Sequence, residues 1–201
     1  MNKYTEVEGC LIQKALNGDF DVIAHGCNCQ CTMKAGIAPQ MAKTFDCDKF
    51  EMENPIYKGD VNKLGDIDYR NVYIRENGSV FTDIEEYYTS IYAERDNLKS
   101  FVVVNAYTQF MYGTNHTDGV SKPLDYEALT LCLRKINHIF KGKHIGLPMI
   151  GCGLAGGVWN QFSSGVDYDD YLENPYYYKF VKNIIQKELK DCNITIVKFK
   201  K

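Results

Sequence analysis

The chain has 201 residues, 45% of them hydrophobic and 24% charged, a globular composition with enough length to bury one generous core. Its net charge of −3 argues against a broad non-specific nucleic-acid surface, so no nucleic-acid polymer is expected as a partner. No apolar run approaches the length of a bilayer span and the opening Met1-Asn-Lys-Tyr-Thr5 does not read as a signal peptide, so no membrane association and a cytoplasmic location are expected.

In chain order, Tyr4 to Glu8 reads as a short strand, followed by a helical turn around Leu11 to Leu16 and a turn signal at Asn17-Gly18-Asp19. Asp21 to Cys27 is a near-continuous apolar run, the pattern of a strand covered on both faces. Ile37 to Phe45 has helical spacing, and Pro39 is tolerated in its first turn because the missing N–H is not needed there. Lys58 to Gly65 reads as loop, Asp66 to Ile74 as a strand, and Asn77-Gly78 as a hairpin turn into Ser79 to Thr82. Asp83 to Lys99 is polar and tyrosine-rich, with helical spacing at Ile84, Tyr87/Tyr88 and Ile91. Phe101 to Ala106 is the clearest strand, and Tyr107 to Lys122 is expected to be a long loop. Leu129, Leu133, Ile136 and Phe140 share one stripe of a helix predicted over Asp125 to Phe140. His144 to Ile150 reads as a buried strand, Ser163 to Pro175 as an acidic, tyrosine-rich surface segment, Tyr176 to Leu189 as an amphipathic helix, and Ile194 to Phe199 as a last strand. This order predicts a single domain over residues 1–201, an α/β sheet covered on both faces.

Two glycine-rich turns follow apolar strands: His25-Gly-Cys-Asn-Cys-Gln-Cys-Thr-Met-Lys-Ala-Gly-Ile-Ala38 and Leu147-Pro-Met-Ile-Gly-Cys-Gly-Leu-Ala-Gly-Gly157. Glycine lets backbone N–H groups come close to an anion, and two such turns suggest a cradle for a phosphate-bearing ligand at the carboxyl ends of central strands. Neither is a dinucleotide fingerprint or a Walker loop. Of the eight cysteines, Cys27, Cys29 and Cys31 alternate, while zinc sites favour Cys-x-x-Cys spacing; all eight read as free thiols, with no metal and no cofactor expected.

The two turns together, with Asn105-Ala-Tyr-Thr-Gln109 and Leu124-Asp-Tyr126, resemble a macro domain, most closely the small stand-alone branch of phage and microbial genomes associated with ADP-ribose 1″-phosphate phosphatases. The resemblance implies a three-layer α/β/α fold with a mixed central sheet, elaborated at 66–100 and 160–175, and an ADP-ribose derivative as small-molecule partner. If a phage encodes the chain, its compartment is the host cytoplasm. The family pattern places the distal ribose against Met33, Lys34, Ala35, Gly36, Ile37 and Ala38. The diphosphate and terminal phosphate fall against Ile150, Gly151, Cys152, Gly153, Leu154, Ala155 and Gly156, with the dipole of a following helix adding to the field. Asn28 suits the vicinal hydroxyls of a ribose, or else braces its own loop as an Asx turn. His25 matches a histidine of the phosphatase members and is either a general acid or base for the 1″-phosphate ester or a hydrogen-bonded core histidine.

Three departures qualify this. Where the family carries Gly-Asp-Ile/Leu to read adenine, this chain has Gly9-Cys10-Leu11, which leaves the contact to Cys10 and the Leu11 N–H. Val158 replaces an aspartate common in relatives. The lysine and aspartate used by relatives that cleave glutamate esters are replaced within Tyr107-Thr108-Gln109 and by Ala155. The reading is therefore slow hydrolysis of ADP-ribose 1″-phosphate, or capture of such a nucleotide without turnover. The tyrosines at 168, 171 and 176–178 form a partner surface or pack back on the domain.

Overall fold

The computed structural model describes residues 3–50, 58–82, 98–114, 122–160 and 180–199. The strands are β1 (Tyr4–Glu8), β2 (Val22–Asn28), β3 (Ile67–Ile74), β4 (Val80–Phe81), β5 (Lys99–Gln109), β6 (His144–Leu147) and β7 (Asn193–Lys198). The helices are α1 (Leu11–Asn17), α2 (Ala38–Phe45), α3 (Tyr126–Ile139) and α4 (Val181–Glu188). They build one sheet in the order β1-β7-β6-β2-β5-β3-β4. β1, β7, β6, β2 and β5 run parallel, while β3 pairs antiparallel with β5 and with β4, so the sheet is mixed.

The apolar run of β2 is explained by burial on both faces. Val22 and Ala24 enter a core shared with Leu129, Leu133 and Ile136 of α3 and Ile184 and Ile185 of α4. Ile23 enters a second core with Leu11 and Ala15 of α1 and Met41 and Phe45 of α2. Period-2 alternation along a strand sends neighbours to opposite faces, and helices cover both, which gives the three-layer α/β/α arrangement. Each fully buried aliphatic side chain contributes roughly 1.5–3 kcal/mol. Phe45 and Phe101 add an edge-to-face pair at 5.5 Å.

The structure corrects several element boundaries. β5 continues through Tyr107-Thr108-Gln109, read from sequence as loop, because it pairs with the full length of β2 up to Asn28↔Gln109. A register shift between Cys27 and Asn28 absorbs the extra residue. β6 stops at Leu147, since Pro148 has no N–H for the ladder, and Met149 and Ile150 belong to the turn. Leu11–Asn17 is a full helix closed by Gly18 at φ 88°. Residues 83–97 and 161–179, where a helix, the acidic segment and the tyrosine cluster were expected, lie outside the described residues. Among the described residues no helix is long and apolar enough to cross a membrane.

Candidate functional site

Because β1, β7, β6, β2 and β5 are parallel, their carboxyl ends share one edge of the sheet. Three turns leave that edge: Gly9-Cys10 from β1, residues 29–37 from β2, and residues 148–157 from β6. β6 and β2 are neighbours, so the two glycine turns stand side by side. Cys10 lies three strand spacings from β2, roughly 14 Å away. All the predicted ligand contacts are thus brought to one edge.

The second turn is held by packing. A Cβ on Gly26 would meet Thr108 Oγ1 at 3.0 Å and Ile150 Cγ1 at 3.3 Å, so the bare glycine lets buried Ile150 lie on β2. A Cβ on Gly157 would sit 2.4 Å from Leu124, whereas Gly153 faces open space. Cys152, Gly156 and Gly157 donate to the carbonyls of Met149, Gly153 and Gly151. The amides of Gly151, Gly153, Leu154 and Ala155 meet no acceptor among the described residues. These N–H groups line a turn whose Leu154 is exposed, an arrangement suited to anionic oxygens. The helix expected to follow this turn would start beyond Asn160, where residues 161–179 lie outside the described residues. Burial pushes the Cys152 thiol up to about 12.

In the first turn Asn28 is a loop brace. Its Nδ2 donates to Thr32 O at 2.8 Å, and its Oδ1 accepts from Thr32 N and Thr32 Oγ1, each at 3.2 Å. Lys34, Ala35 and Gly36 are exposed, and the amides of Met33 to Ile37 meet no acceptor among the described residues. Ala38 is buried at the start of α2. At the far end of the edge, Cys10 is the extended N-cap of α1 and its side chain makes no capping hydrogen bond.

His25 is fully buried and faces the α1/α2 side of the sheet. Asn105 Nδ2 donates to Cys47 O at 2.7 Å, which turns Oδ1 toward the imidazole; His25 Nε2 therefore carries the proton and donates to it at 2.8 Å. The thiols of Cys27 and Cys47 lie 3.7 Å from Nε2. Burial lowers the His25 pKa to about 4, with the Asn105 bond opposing, so the ring is neutral at pH 7. A proton shuttle must reach its substrate, and this ring is separated from the second turn by the sheet itself.

Sequence reading missed a neighbouring cavity of about 30 Å³ at the carboxyl ends of β2 and β5, lined by Cys27, Asn28, Cys31, Asp48, Asn105 and Tyr107 among others. Asn105 pairs in register with His25, and a buried asparagine within the apolar run Phe101-Val-Val-Val-Asn-Ala106 was the available signal. Tyr107 OH donates to buried Asp68 Oδ2 at 2.6 Å, while burial lifts the Asp68 carboxyl above its ordinary range. Asp48 is exposed at the cavity rim, and nothing in its local sequence marks it. Among the described residues no group of three or more His, Cys, Asp or Glu side chains is arranged to hold a metal ion.

No family model matches the chain. It is 31% identical over 179 residues to an uncharacterized 17.5 kDa protein from the tk-vs intergenic region of Enterobacteria phage T4, covering 81% of this chain and 94% of the relative. Among solved structures it is similar to a protein of unknown function from Bacteroides thetaiotaomicron, at TM-score 0.55 and 17% identity, covering 98% of both chains. It is also similar to Thermosipho africanus DarTG in complex with ADP-ribose, at TM-score 0.52 and 13% identity, covering 98% of this chain and 42% of that one. The protein thus has a three-layer α/β/α fold around a mixed sheet and belongs to the family of the phage T4 protein.

Proposed function

We propose that the chain binds an ADP-ribose-type nucleotide along the carboxyl edge of its parallel strands, holding the phosphates through main-chain amides. The observation that carries this reading is the pair of adjacent turns whose amides at Met33–Ile37 and at Gly151, Gly153, Leu154 and Ala155 find no acceptor among the described residues. Similarity to a protein solved with ADP-ribose supports the choice of ligand. In this reading Met33 to Ala38 wrap the distal ribose, Gly151 to Gly156 take the phosphates, and Cys10 with the Leu11 N–H meets adenine. The expected compartment is the cytoplasm.

Capture without turnover is the reading the geometry favours, because His25 is buried away from the second turn and Asn28 is committed to Thr32. The alternative, slow hydrolysis of ADP-ribose 1″-phosphate, retains one specific observation. The Asp48 carboxylate shares a cavity with Asn28 and Asn105 next to the first turn, where it would accept a proton from an attacking water.

Calorimetric titration with ADP-ribose, followed by phosphate release from its 1″-phosphate, tests both readings. Gly153→Val is the discriminating variant: its φ is ordinary and its Cβ meets nothing, so stability should hold while binding falls at least about tenfold, or about 1.4 kcal/mol. Unchanged affinity in Gly153→Val, or no binding by the parent, removes the proposal. Phosphate release lost in Asp48→Asn would establish the hydrolytic alternative.

A further inference from the structure

Buried lysines are rare unless a partner holds them. Lys63, at the end of the short 3-10 turn Val61–Lys63, is only 2% exposed. Its Nζ lies 3.2 Å from Cys31 Sγ and 5.8 Å from the centre of the Tyr107 ring. Cys31 is the half-buried thiol of the first glycine turn, held at φ 54° by Cys31 N→Asn28 O and the Asn28–Thr32 bonds. It also lines the 30 Å³ cavity. A void of that size holds about one or two waters, and hydrogen peroxide is small enough to enter it. Burial pushes the lining thiol of Cys27 well above its ordinary value and that of Cys47 up to about 12, which keeps both as unreactive thiols.

We propose that Cys31 and Lys63 form an oxidative cross-link, a sulfenamide, when the protein meets hydrogen peroxide. In the first step the Cys31 sulfur attacks one peroxide oxygen. The O–O bond breaks, water leaves, the sulfur is oxidised by two electrons to sulfenic acid, and the peroxide is reduced. In the second step Lys63 Nζ, its extra proton passed to the water released in the first step, attacks that sulfur. The N–S bond forms, the S–O bond breaks, and the hydroxyl leaves as water with a proton from nitrogen. An external thiol reverses the product by attacking sulfur, which returns the amine. The nitrogen is already in contact with the sulfur, so the second step needs no backbone movement. The bond would tie the root of the first ligand turn to residues 61–63, which are 32 positions away in sequence.

The test is peptide mass mapping of the intact chain after hydrogen peroxide treatment, with dimedone present to trap free sulfenic acid. The expected result is a joined pair of peptides containing Cys31 and Lys63, two hydrogens lighter than their sum. Trypsin should no longer cleave at Lys63, dithiothreitol should restore cleavage, and Cys31→Ser should lose the product. Lys63→Gln should instead show dimedone on Cys31; if that variant does not fold, the parent and Cys31→Ser still decide. Dimedone on Cys31 of the parent with Lys63 unmodified, a disulfide from Cys31 to Cys27 or Cys29, or an unreacted Cys31 would each overturn the proposal.

Discussion

At the scale of single residues, His25 and Asn28 show how one sequence signal serves two roles. Both stand where a ligand-contacting residue is expected, and both are consumed by internal hydrogen bonds, to Asn105 and Thr32. The buried histidine has a measurable consequence. Its folded pKa of about 4 lies below the ordinary 6.5, so between those values the unfolded chain binds the extra proton. The stabilisation from a neutral His25 is complete above pH 6.5 and is lost as pH falls toward 4, by up to roughly 3 kcal/mol. Urea unfolding at pH 7 and pH 4.5 should show that drop, and His25→Gln should flatten it. An equally steep slope in the variant would assign the effect elsewhere. The partners that bury His25, Asn105 and Cys47, were not legible in sequence because they are far away in the chain.

Individual elements were legible wherever local chemistry sets them. Asp125 was placed near a helix N-terminus from its position before an apolar stripe. The structure makes it the N-cap, its Oδ1 accepting from Glu127 N and Ala128 N at 2.9 Å each. Asp125→Ala should destabilise by about 1 kcal/mol in thermal or urea unfolding without altering ligand affinity. Elements set by pairing were harder to read. Tyr107, Thr108 and Gln109 look like loop because polar residues follow the apolar run, yet the ladder to β2 holds them as strand. The glycines of the second turn divide in the same way. A Cβ at Gly157 collides with Leu124 and with Gly151 O, so Gly157→Ala should lose roughly 1–3 kcal/mol, while Gly153 stands free for a ligand.

For the molecule as a whole, a polar clamp joins the outermost parallel strand to the layers beside it. Glu6 of β1 receives Tyr4 OH at 2.8 Å and pairs with Lys182 of α4 at 2.9 Å and with Lys198 of β7. Burial raises the Glu6 pKa, and these donors more than reverse the effect, leaving it at about 2. A carboxylate with a depressed folded pKa stabilises above its ordinary value of 4.5, and the gain is lost as pH falls toward 2. Glu6→Gln should therefore be less stable than the parent at pH 7, by on the order of 1 kcal/mol after solvent screening, and equal to it near pH 2. Chemical unfolding at the two pH values checks this. A difference that persists at pH 2 would mean lost packing rather than lost charge.

Local sequence by itself determined the alternation of strands and helices, the helix cap and the two glycine turns. Each depends on periodicity, φ preference or a missing N–H within a few residues. Tertiary structure alone decided that five parallel strands put those turns on one edge, that His25 faces away from the second turn, that Asp48 and Cys31 line one cavity, and that Lys63 meets Cys31. Strand order and burial come from contacts between distant segments, and no local pattern in the chain encodes them.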